Sequence, residues 1–324
     1  MPTIAPIDAG THVEWAGFLG GIPTFALSSG QVVFTEGGER RIDVAGGLAL
    51  AIPELDQSCL IAGGEDGTIT RIAPGAAPAK LQAANRKWVN ALAIGPSRTI
   101  AASCGRTGRI LPAKAAACDF VCERTIEAMA FAPKGLRLAL ARYNGVELRW
   151  VNSASAPQFL EWKGAHVGVT FSPDGRFVVS TMQENALHGW RLADNKNMRM
   201  TGYPAKVRSV SWSPRGKWLA SSGAPAAIVW PFSGKDGPMG KAPKELGGMG
   251  KTLVSRVCCH PLEAVVAIGY QDGMITAVRI EDEKIAVLRR GGYGAISTLN
   301  WDAKGQRLAF GTDSGEAGIV DIAG

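Results

Sequence analysis

The feature that most constrains the fold of this chain is a phrase that recurs along it. The stretch VGVTFSPDGRFVVS at residues 167 to 180 returns 41 positions later as RSVSWSPRGKWLAS. Its template is an apolar residue, an apolar or small residue three places on, a bulky residue five places on, and often proline at seven. Clear copies start at Val89, Ile126, His166, Val207, Val254 and Ile296. Two weaker copies precede them, one starting at Val13 and one in GGLALAIPEL that ends at Pro53.

A repeat period near 40 residues is typical both of four-stranded propeller blades and of helical HEAT or armadillo repeats. The turn chemistry favours strands, because Asp66-Gly67, Asn144-Gly145 and Asp272-Gly273 are pairs that form two-residue hairpins. The 41 glycines and 18 prolines would also interrupt helices. We therefore predict an all-β, closed β-propeller of four-stranded antiparallel blades that forms a single domain over residues 1–324.

Eight copies of the template predict eight blades, and seven is the alternative because the first two copies are weak. The last copy leaves room for only three strands before the sequence stops after Ile319-Val320-Asp321-Ile322. The leading PTIAPID could supply the fourth strand, which would remove two exposed sheet edges. The N-terminal strand is therefore predicted to complete the last blade.

These residues resemble the Trp-Asp (WD) repeat β-propellers, as a divergent, bacterial-type member. FSPDG at 171–175 and WSPRG at 212–216 are similar to the link between the first two strands of that family's blades, and Trp150, Trp190 and Trp230 lie 40 residues apart. The aspartate of the namesake pair is missing after all three. The family's Trp-Ser-His-Asp network does not carry over as a set, since Ser180 and Asp272 match single positions in different repeats. We assign structural roles to the three tryptophans and to the turn residues Asp66, Asn144 and Asp272.

Composition argues against a disordered, membrane-spanning, secreted or disulfide-rich protein. The chain is 46% hydrophobic and 19% charged, which argues against disorder. No apolar run approaches the roughly 20 residues of a membrane span, and the first residues lack the pattern of a secretory signal. Six cysteines in a chain of this length suit free thiols in a reducing cytoplasm better than a disulfide scaffold.

No metal, cofactor or catalytic group is predicted. Cys118 and Cys122 would lie roughly 13 Å apart on a strand, and the neighbours Cys258 and Cys259 would point to opposite faces. The four histidines have no ligand spacing, and no nucleophile elbow or phosphate loop is present. Most inner-strand positions hold small residues, with Arg256 and Asn300 as exceptions. We predict that the protein is not an enzyme, and an axial-site enzyme is the third hypothesis.

The net charge of +7 is scattered, so nucleic-acid binding is the second hypothesis and not the first. Arg86-Lys87-Trp88 and Arg215-Gly216-Lys217-Trp218 have the composition of a nucleic-acid surface. We interpret them instead as tryptophans packed between blades beside solvated lysines.

The favoured function is a non-catalytic protein-protein interaction scaffold, which the resemblance implies and which variable loops suit. We expect one or more protein partners, as for a subunit of a larger complex. Two sets of residues are candidates. The first lies in the loop at 233–251 and comprises Lys235, Met239, Lys241 and Lys244. The second follows the template starts, at the predicted channel mouth: Glu14, Asn90, Glu127 and Arg208, with Ser255 and Ser297.

Overall fold

A computed structural model describes residues 3–44, 47–292 and 294–322. In these residues the chain forms thirty β-strands and two short 3-10 helices, Pro96–Arg98 and Pro214–Gly216. None of the described helices is long and apolar enough to cross a membrane. The all-β prediction is confirmed.

The strands follow one another along the chain with short connections. The first fifteen are β1 (Thr3–Asp8), β2 (Val13–Leu19), β3 (Ile22–Leu27), β4 (Gln31–Phe34), β5 (Arg40–Asp43), β6 (Leu48–Pro53), β7 (Leu60–Gly64), β8 (Ile69–Ile72), β9 (Ala79–Gln82), β10 (Ala91–Ile94), β11 (Ile100–Cys104), β12 (Thr107–Leu111), β13 (Cys118–Val121), β14 (Ala128–Phe131) and β15 (Arg137–Trp150). The others are β16 (Gln158–Phe171), β17 (Phe177–Met182), β18 (Leu187–Arg191), β19 (Lys196–Met200), β20 (Val210–Trp212), β21 (Trp218–Ser221), β22 (Ala227–Pro231), β23 (Lys244–Leu246), β24 (Val254–Cys259), β25 (Val265–Tyr270), β26 (Ile275–Arg279), β27 (Ile285–Arg289), β28 (Ile296–Trp301), β29 (Arg307–Thr312) and β30 (Glu316–Asp321).

The chain divides into two compact units. The first unit comprises the residues up to Asp43 and those from Tyr203 onwards, and it holds four antiparallel sheets of four strands: β2–β5, β20–β23, β24–β27, and β28–β30 with β1. Strand β1 pairs antiparallel with β30, from Thr3 opposite Asp321 to Asp8 opposite Glu316. The N-terminal strand therefore completes the last sheet, as predicted.

The second unit, Val44–Gly202, holds the four-stranded sheets β6–β9 and β10–β13 and a six-stranded sheet, β14–β19. The six-stranded sheet carries two repeats. The Val151 amide donates to the Leu136 carbonyl at 3.1 Å, so β15 folds back on itself, and Asn144 in its middle has a φ of +67°. Strand β16 pairs with β15 through its first part and with β17 through its second.

The described residues thus distribute eight repeats over seven hydrogen-bonded sheets. The preferred count of eight holds for the repeats, and the alternative count of seven holds for the separate sheets. The two counts differ because no loop separates the last strand of the fourth repeat from the first strand of the fifth. That residues 1–324 form a single domain stays a prediction.

A β-bulge explains the odd spacing of the template. The pairing of the first and second strands shifts by one residue directly after Val13, His166, Val254 and Ile296. Strict alternation would place positions three apart on opposite faces, and the extra residue returns them to the same face. In the seventh repeat Val254, Val257 and Cys259 are accordingly all buried against the neighbouring sheets.

The same bulge shows that the second repeat starts at a different residue from the predicted one. Its register shift follows Leu48, and the Glu54 amide then bonds the Cys59 carbonyl at 2.8 Å, as the Ser172 amide bonds Phe177 in the fifth repeat. The second repeat therefore starts at Leu48, two residues later than the position inferred from Pro53. Pro53 is the last residue of β6, and the turn comes after it.

The repeated SP-x-G phrase is the turn between the first and second strands. In the fifth repeat the Ser172 hydroxyl donates to Asp174 at 2.6 Å and accepts the Phe177 amide at 2.9 Å. Ser213 accepts the Trp218 amide in the same way at 3.0 Å. Gly175 has a φ of +74°, a conformation that side chains disfavour, which explains the glycine.

The predicted hairpin turns are present between the second and third strands. The Asp66 carboxylate accepts the Thr68 amide at 2.9 Å, and the Asp272 carboxylate accepts the Met274 amide at 3.1 Å. The Thr68 amide stabilises the charged form of Asp66 and is the main cause of the lowered pKa of that carboxyl.

The three equally spaced tryptophans do not share one environment. Trp190 and Trp230 are buried, whereas Trp150 is 44% exposed. Trp190 and Trp230 each lie two residues before the amide that closes the hairpin with the second strand, at Leu192 and Phe232. In the fourth repeat that amide belongs to Val151, so the equivalent position is Arg149, and Trp150 points to the opposite face.

Candidate functional site

The residues that follow the template starts lie on a bulge at Glu14, Ser255 and Ser297, where a bulge can redirect a side chain, and directly before or near the first strand at Asn90, Glu127 and Arg208. Several of them connect adjacent sheets. The side chain of each donates to the carbonyl of the template start in the next repeat: Asn90 to Ile126, Ser255 to Ile296 at 2.8 Å, and Ser297 to Val13 at 2.7 Å. These three positions therefore have a structural role that the sequence reasoning missed. The sequence signal for this role is a serine or asparagine directly after the template start.

In the first unit the ends of the inner strands surround an open cavity of about 620 Å³. Arg208, Ser255 and Ser297 line it, as the shared position after the template start predicts. The other charged or titratable lining side chains are His12, Lys206, Arg256 and Asp313. Glu14 lies beside the cavity, with its carboxylate 3.6 Å from the His12 Nε2 atom.

The cavity has an excess of positive charge. Arg208 and Arg256 contribute guanidinium groups, and no carboxylate of the described residues lies within 4.0 Å to pair with either. Burial lowers the pKa of Arg256, the charge of Arg208 lowers it further, and Glu14 opposes the shift. The Arg256 Nε atom donates to the Ser297 carbonyl, and Nη1 donates to the Ser255 carbonyl at 3.1 Å. The cavity can therefore accept an anion.

In the second unit the corresponding strand ends border a shallower groove of about 560 Å³. Asn90 and Glu127 line it together, with Lys87, Trp88 and Arg106. Trp88 is 61% exposed, so the interpretation of this tryptophan as packed between blades is wrong. It precedes the first strand of its repeat, β10, and borders the groove.

Three comparisons with known proteins bear on this geometry. The family model "WD domain, G-beta repeat" (WD40) matches residues 195–230, which run from β19 to the end of β22. Residues 195–230 are therefore similar to a WD40 repeat, and the fold is a β-propeller. The WD40 domain of Pan2 from Neurospora crassa is 11% identical with a TM-score of 0.65, covering 86% of this chain and 89% of that one. The computationally designed protein Ika8 is 15% identical with a TM-score of 0.77, covering 97% and 98%.

A search of curated proteins finds no significant match. At these identities the structural likeness shows the propeller fold alone and does not indicate a function.

The predicted basic loop of the propeller lies away from the cavity of the first unit, and none of Lys235, Met239, Lys241 and Lys244 lines that cavity. Lys244 is on β23, the outermost strand of its sheet, so residues 233–251 are not one continuous loop. The Lys241 ammonium donates to the Ser233 carbonyl at 2.7 Å, and Lys244 donates to the Ile280 carbonyl at 2.9 Å.

The two polar exceptions on the inner strands differ in role. The Asn300 amide donates to the Ala16 carbonyl at 2.7 Å, so it connects strands within the first unit. Arg256 bonds two carbonyls and also lines the cavity. Of the two, Arg256 is the functional candidate.

The cysteine and histidine motifs of the propeller have structural contacts. Burial raises the pKa of Cys258 to about 11 and that of Cys259 to about 12, which keeps both thiols protonated. The His260 imidazole accepts the Glu263 amide at 3.0 Å and contacts the Gly305 carbonyl at 3.0 Å, so it stabilises turns. Within the described residues no three His, Cys, Asp or Glu side chains are grouped to hold a metal.

Proposed function

We propose that this propeller is a non-catalytic scaffold of the WD-repeat type that binds one or more proteins through the ends of its inner strands. The observation that carries the proposal is a contrast at one structural position. After the template start, Asn90, Ser255 and Ser297 connect adjacent sheets, whereas Glu127 and Arg208 are exposed charged residues beside a groove and a cavity. Exposed charge at a position that elsewhere connects sheets supports recognition of a partner.

The test is a double charge reversal, Glu127→Arg with Arg208→Glu, which leaves the net charge unchanged. Proteins captured from a native extract by tagged wild type and variant are compared by quantitative mass spectrometry. We expect the variant to lose the specific partners at least tenfold. The control pair is Glu263→Lys with Lys304→Glu, two exposed residues in the turns that follow first strands. Equal partner recovery by wild type and both variants would exclude this surface.

Residues Lys235, Met239, Lys241 and Lys244 form a second proposed contact surface. Lys235 and Lys241 are exposed and Met239 is partly exposed, which suits an acidic partner with an apolar contact. Deletion of this segment would remove β23, so the test uses Lys235→Glu with Met239→Ser. Partner recovery unchanged by this double variant would remove the segment from the interface.

The six cysteines are unpaired, which supports a reducing compartment such as the cytoplasm. Labelling the protein in intact cells with a membrane-permeant and an impermeant thiol reagent tests this proposal. The exposed Cys118 should react with the permeant reagent alone.

A second candidate function is binding of single-stranded nucleic acid in the groove of the second unit. It is favoured by Trp88, an exposed aromatic ring beside Lys87 and Arg106, because bases stack on aromatic rings between phosphate-binding cations. Titration of oligouridylate with tryptophan fluorescence as the readout tests it. Quenching that Trp88→Ala abolishes, with affinity falling steeply as salt rises, would favour this candidate. No quenching at low salt would exclude it.

A further inference from the structure

We infer that the cavity of the first unit binds an acidic peptide segment, with a carboxylate of that segment seated between Arg208 and Arg256. This inference rests on the proposed scaffold function and names the chemistry of the partner. The two guanidinium groups come from adjacent inner strands, since β24 contacts β20, the strand that Arg208 precedes. Both line one cavity and neither has a carboxylate partner in the described residues.

Arg256 is held in position to bind an anion. Its Nε and Nη1 atoms donate to the Ser297 and Ser255 carbonyls, and the serine hydroxyls in turn donate to Val13 and Ile296. A guanidinium group has five N–H donors, and the described residues provide acceptors for only two of them. The donors that remain form a planar arrangement that matches a carboxylate. Fixing the side chain in advance reduces the entropy lost on binding.

Arg208 provides the second, exposed positive charge. Its backbone amide donates to Ser222 at 3.1 Å, which fixes the strand end while the side chain borders the cavity. The repulsion between Arg208 and Arg256, which lowers the pKa of Arg256, has no evident benefit to the free protein. An anion between the two groups would relieve it.

The lining favours a peptide over a nucleic acid. Leu253, Val254 and Ile296 contribute apolar surface, and among the described lining residues there is no Trp, Tyr or Phe ring on which bases could stack. The Asp313 and Glu14 carboxylates at its border would repel a phosphate backbone that continued past the arginines. A volume of about 620 Å³ admits a few side chains of an extended segment.

Selection from a random 12-residue peptide display library on the intact protein tests the inference. We expect the selected peptides to be enriched in Asp and Glu. A synthetic selected peptide, followed by fluorescence anisotropy, should lose affinity about tenfold or more with Arg208→Glu, and replacement of its key Glu by Gln should have a similar effect. Lys304→Glu, the same charge change outside the cavity, should have no effect.

A gain-of-affinity variant keeps the test independent of folding. Arg256→Met is unsuitable, because it also removes two hydrogen bonds to backbone carbonyls. Asp313→Asn is chosen instead, because it retains the oxygen that accepts the Ala295 amide at 2.8 Å. Removing this negative charge should tighten the acidic peptide about two- to threefold. Weaker binding by Asp313→Asn would overturn the inference.

The outcomes separate this inference from the scaffold function. Selected peptides without acidic enrichment, or bound equally by Arg208→Glu, would overturn the acidic ligand and leave the scaffold function in place. Displacement of the peptide by a single-stranded oligonucleotide at lower concentration than by free glutamate oligomers would overturn it in favour of nucleic acid. If the variant Glu127→Arg with Arg208→Glu recovers the same partner proteins as the wild type, the proposed scaffold surface itself is overturned.

Discussion

The fifth and sixth repeats place a serine at the same position on the second strand, and each serine lies in a different buried network. In the fifth repeat the His166 Nε2 atom lies 2.9 Å from the Trp162 carbonyl, and Nδ1 lies 2.7 Å from the Ser180 hydroxyl. A carbonyl only accepts, so Nε2 carries a proton, and the Ser180 hydroxyl lies within hydrogen-bond distance of both His166 Nδ1 and the His188 carbonyl, the latter at 3.2 Å. Trp190 packs against His166, with ring centroids 5.7 Å apart.

In the sixth repeat the serine contacts a tyrosine, Tyr203, which lies four residues before the template start, instead of a histidine at the start. The Trp230 indole donates to the Tyr203 hydroxyl at 2.7 Å, and Tyr203 lies 2.6 Å from the Ser221 hydroxyl. Ser221 donates to the Ile228 carbonyl at 2.9 Å, so its hydroxyl accepts from Tyr203. Both serines thus reach a carbonyl of the third strand, and the networks differ in that the fifth contains an imidazole where the sixth contains a phenol.

The difference makes the two networks respond differently to acid. Burial is the main cause of a lowered pKa for His166 and of the pKa of about 3 for His188, which also lies near the charge of Arg199. Burial raises the pKa of Tyr203 to about 12. Protonation of either histidine places a positive charge in this buried site, whereas the tyrosine network stays neutral and keeps all its protons at low pH. Acid should therefore destabilise the fifth repeat and spare the sixth.

The largest expected effect comes from the tryptophan of the fifth network. Trp190→Ala should lower the free energy of unfolding by about 3 to 5 kcal/mol, because it leaves a cavity against His166 and His188. Urea denaturation followed by circular dichroism measures the change. Trp150→Ala is the matched control, and it should cost less than about 1 kcal/mol because Trp150 is 44% exposed. Equal losses for the two variants would contradict the assignment of Trp150 to the outer face.

The acid response is expected to be smaller. His188 is buried, its ring nitrogens have no hydrogen-bond partner among the described residues, and its ring stacks on Trp162 at 3.9 Å. Because its pKa is lower in the folded than in the unfolded state, the unfolded chain binds more protons below about pH 6.5. Stability is complete above that pH and is lost as the pH falls towards 3.

At pH 5 this histidine should therefore cost about 2 kcal/mol relative to pH 7. His188→Phe keeps the aromatic stacking and removes the titration, so the difference in unfolding free energy between pH 7 and pH 5 should shrink by about that amount. Urea denaturation at both pH values checks this. Tyr203→Phe should leave the difference unchanged. A His188→Phe variant with the pH dependence of the wild type would show that the histidine titrates normally in the fold.

The sequence predicted the strands and turns better than these networks. Asp66-Gly67 and Asp272-Gly273 specify their turns through local backbone chemistry, so short stretches of sequence suffice. The tyrosine network was missed because only histidine was sought at that position, although Tyr203 follows a glycine four residues before the template start. Trp150 lies at the end of a third strand, as its spacing predicts, but spacing along the chain does not show where a hairpin reverses and so does not show which face the side chain takes.

The candidate site was predictable only in part, for a related reason. The template start located Arg208 and Glu127, because the position after the start recurs at the end of each inner strand. The cavity depends on how the ends of neighbouring strands meet, and Arg256 belongs to it through contacts with residues some forty positions away, such as Ser297. One repeat read alone does not contain that information.

The smallest expected effect isolates the hydroxyl that distinguishes the sixth network. Tyr203→Phe keeps the ring but removes the acceptor of the Trp230 indole, and the indole donor is then buried without a partner. We expect a loss of about 1.5 kcal/mol in unfolding free energy at pH 7, measured by urea denaturation. Tyr143→Phe, at a tyrosine that is 51% exposed, should change it by less than about 0.5 kcal/mol. Since Ser221 still donates to Ile228 in the Tyr203→Phe variant, a loss as large as that of Trp190→Ala would contradict a role of the Tyr203 hydroxyl limited to these hydrogen bonds.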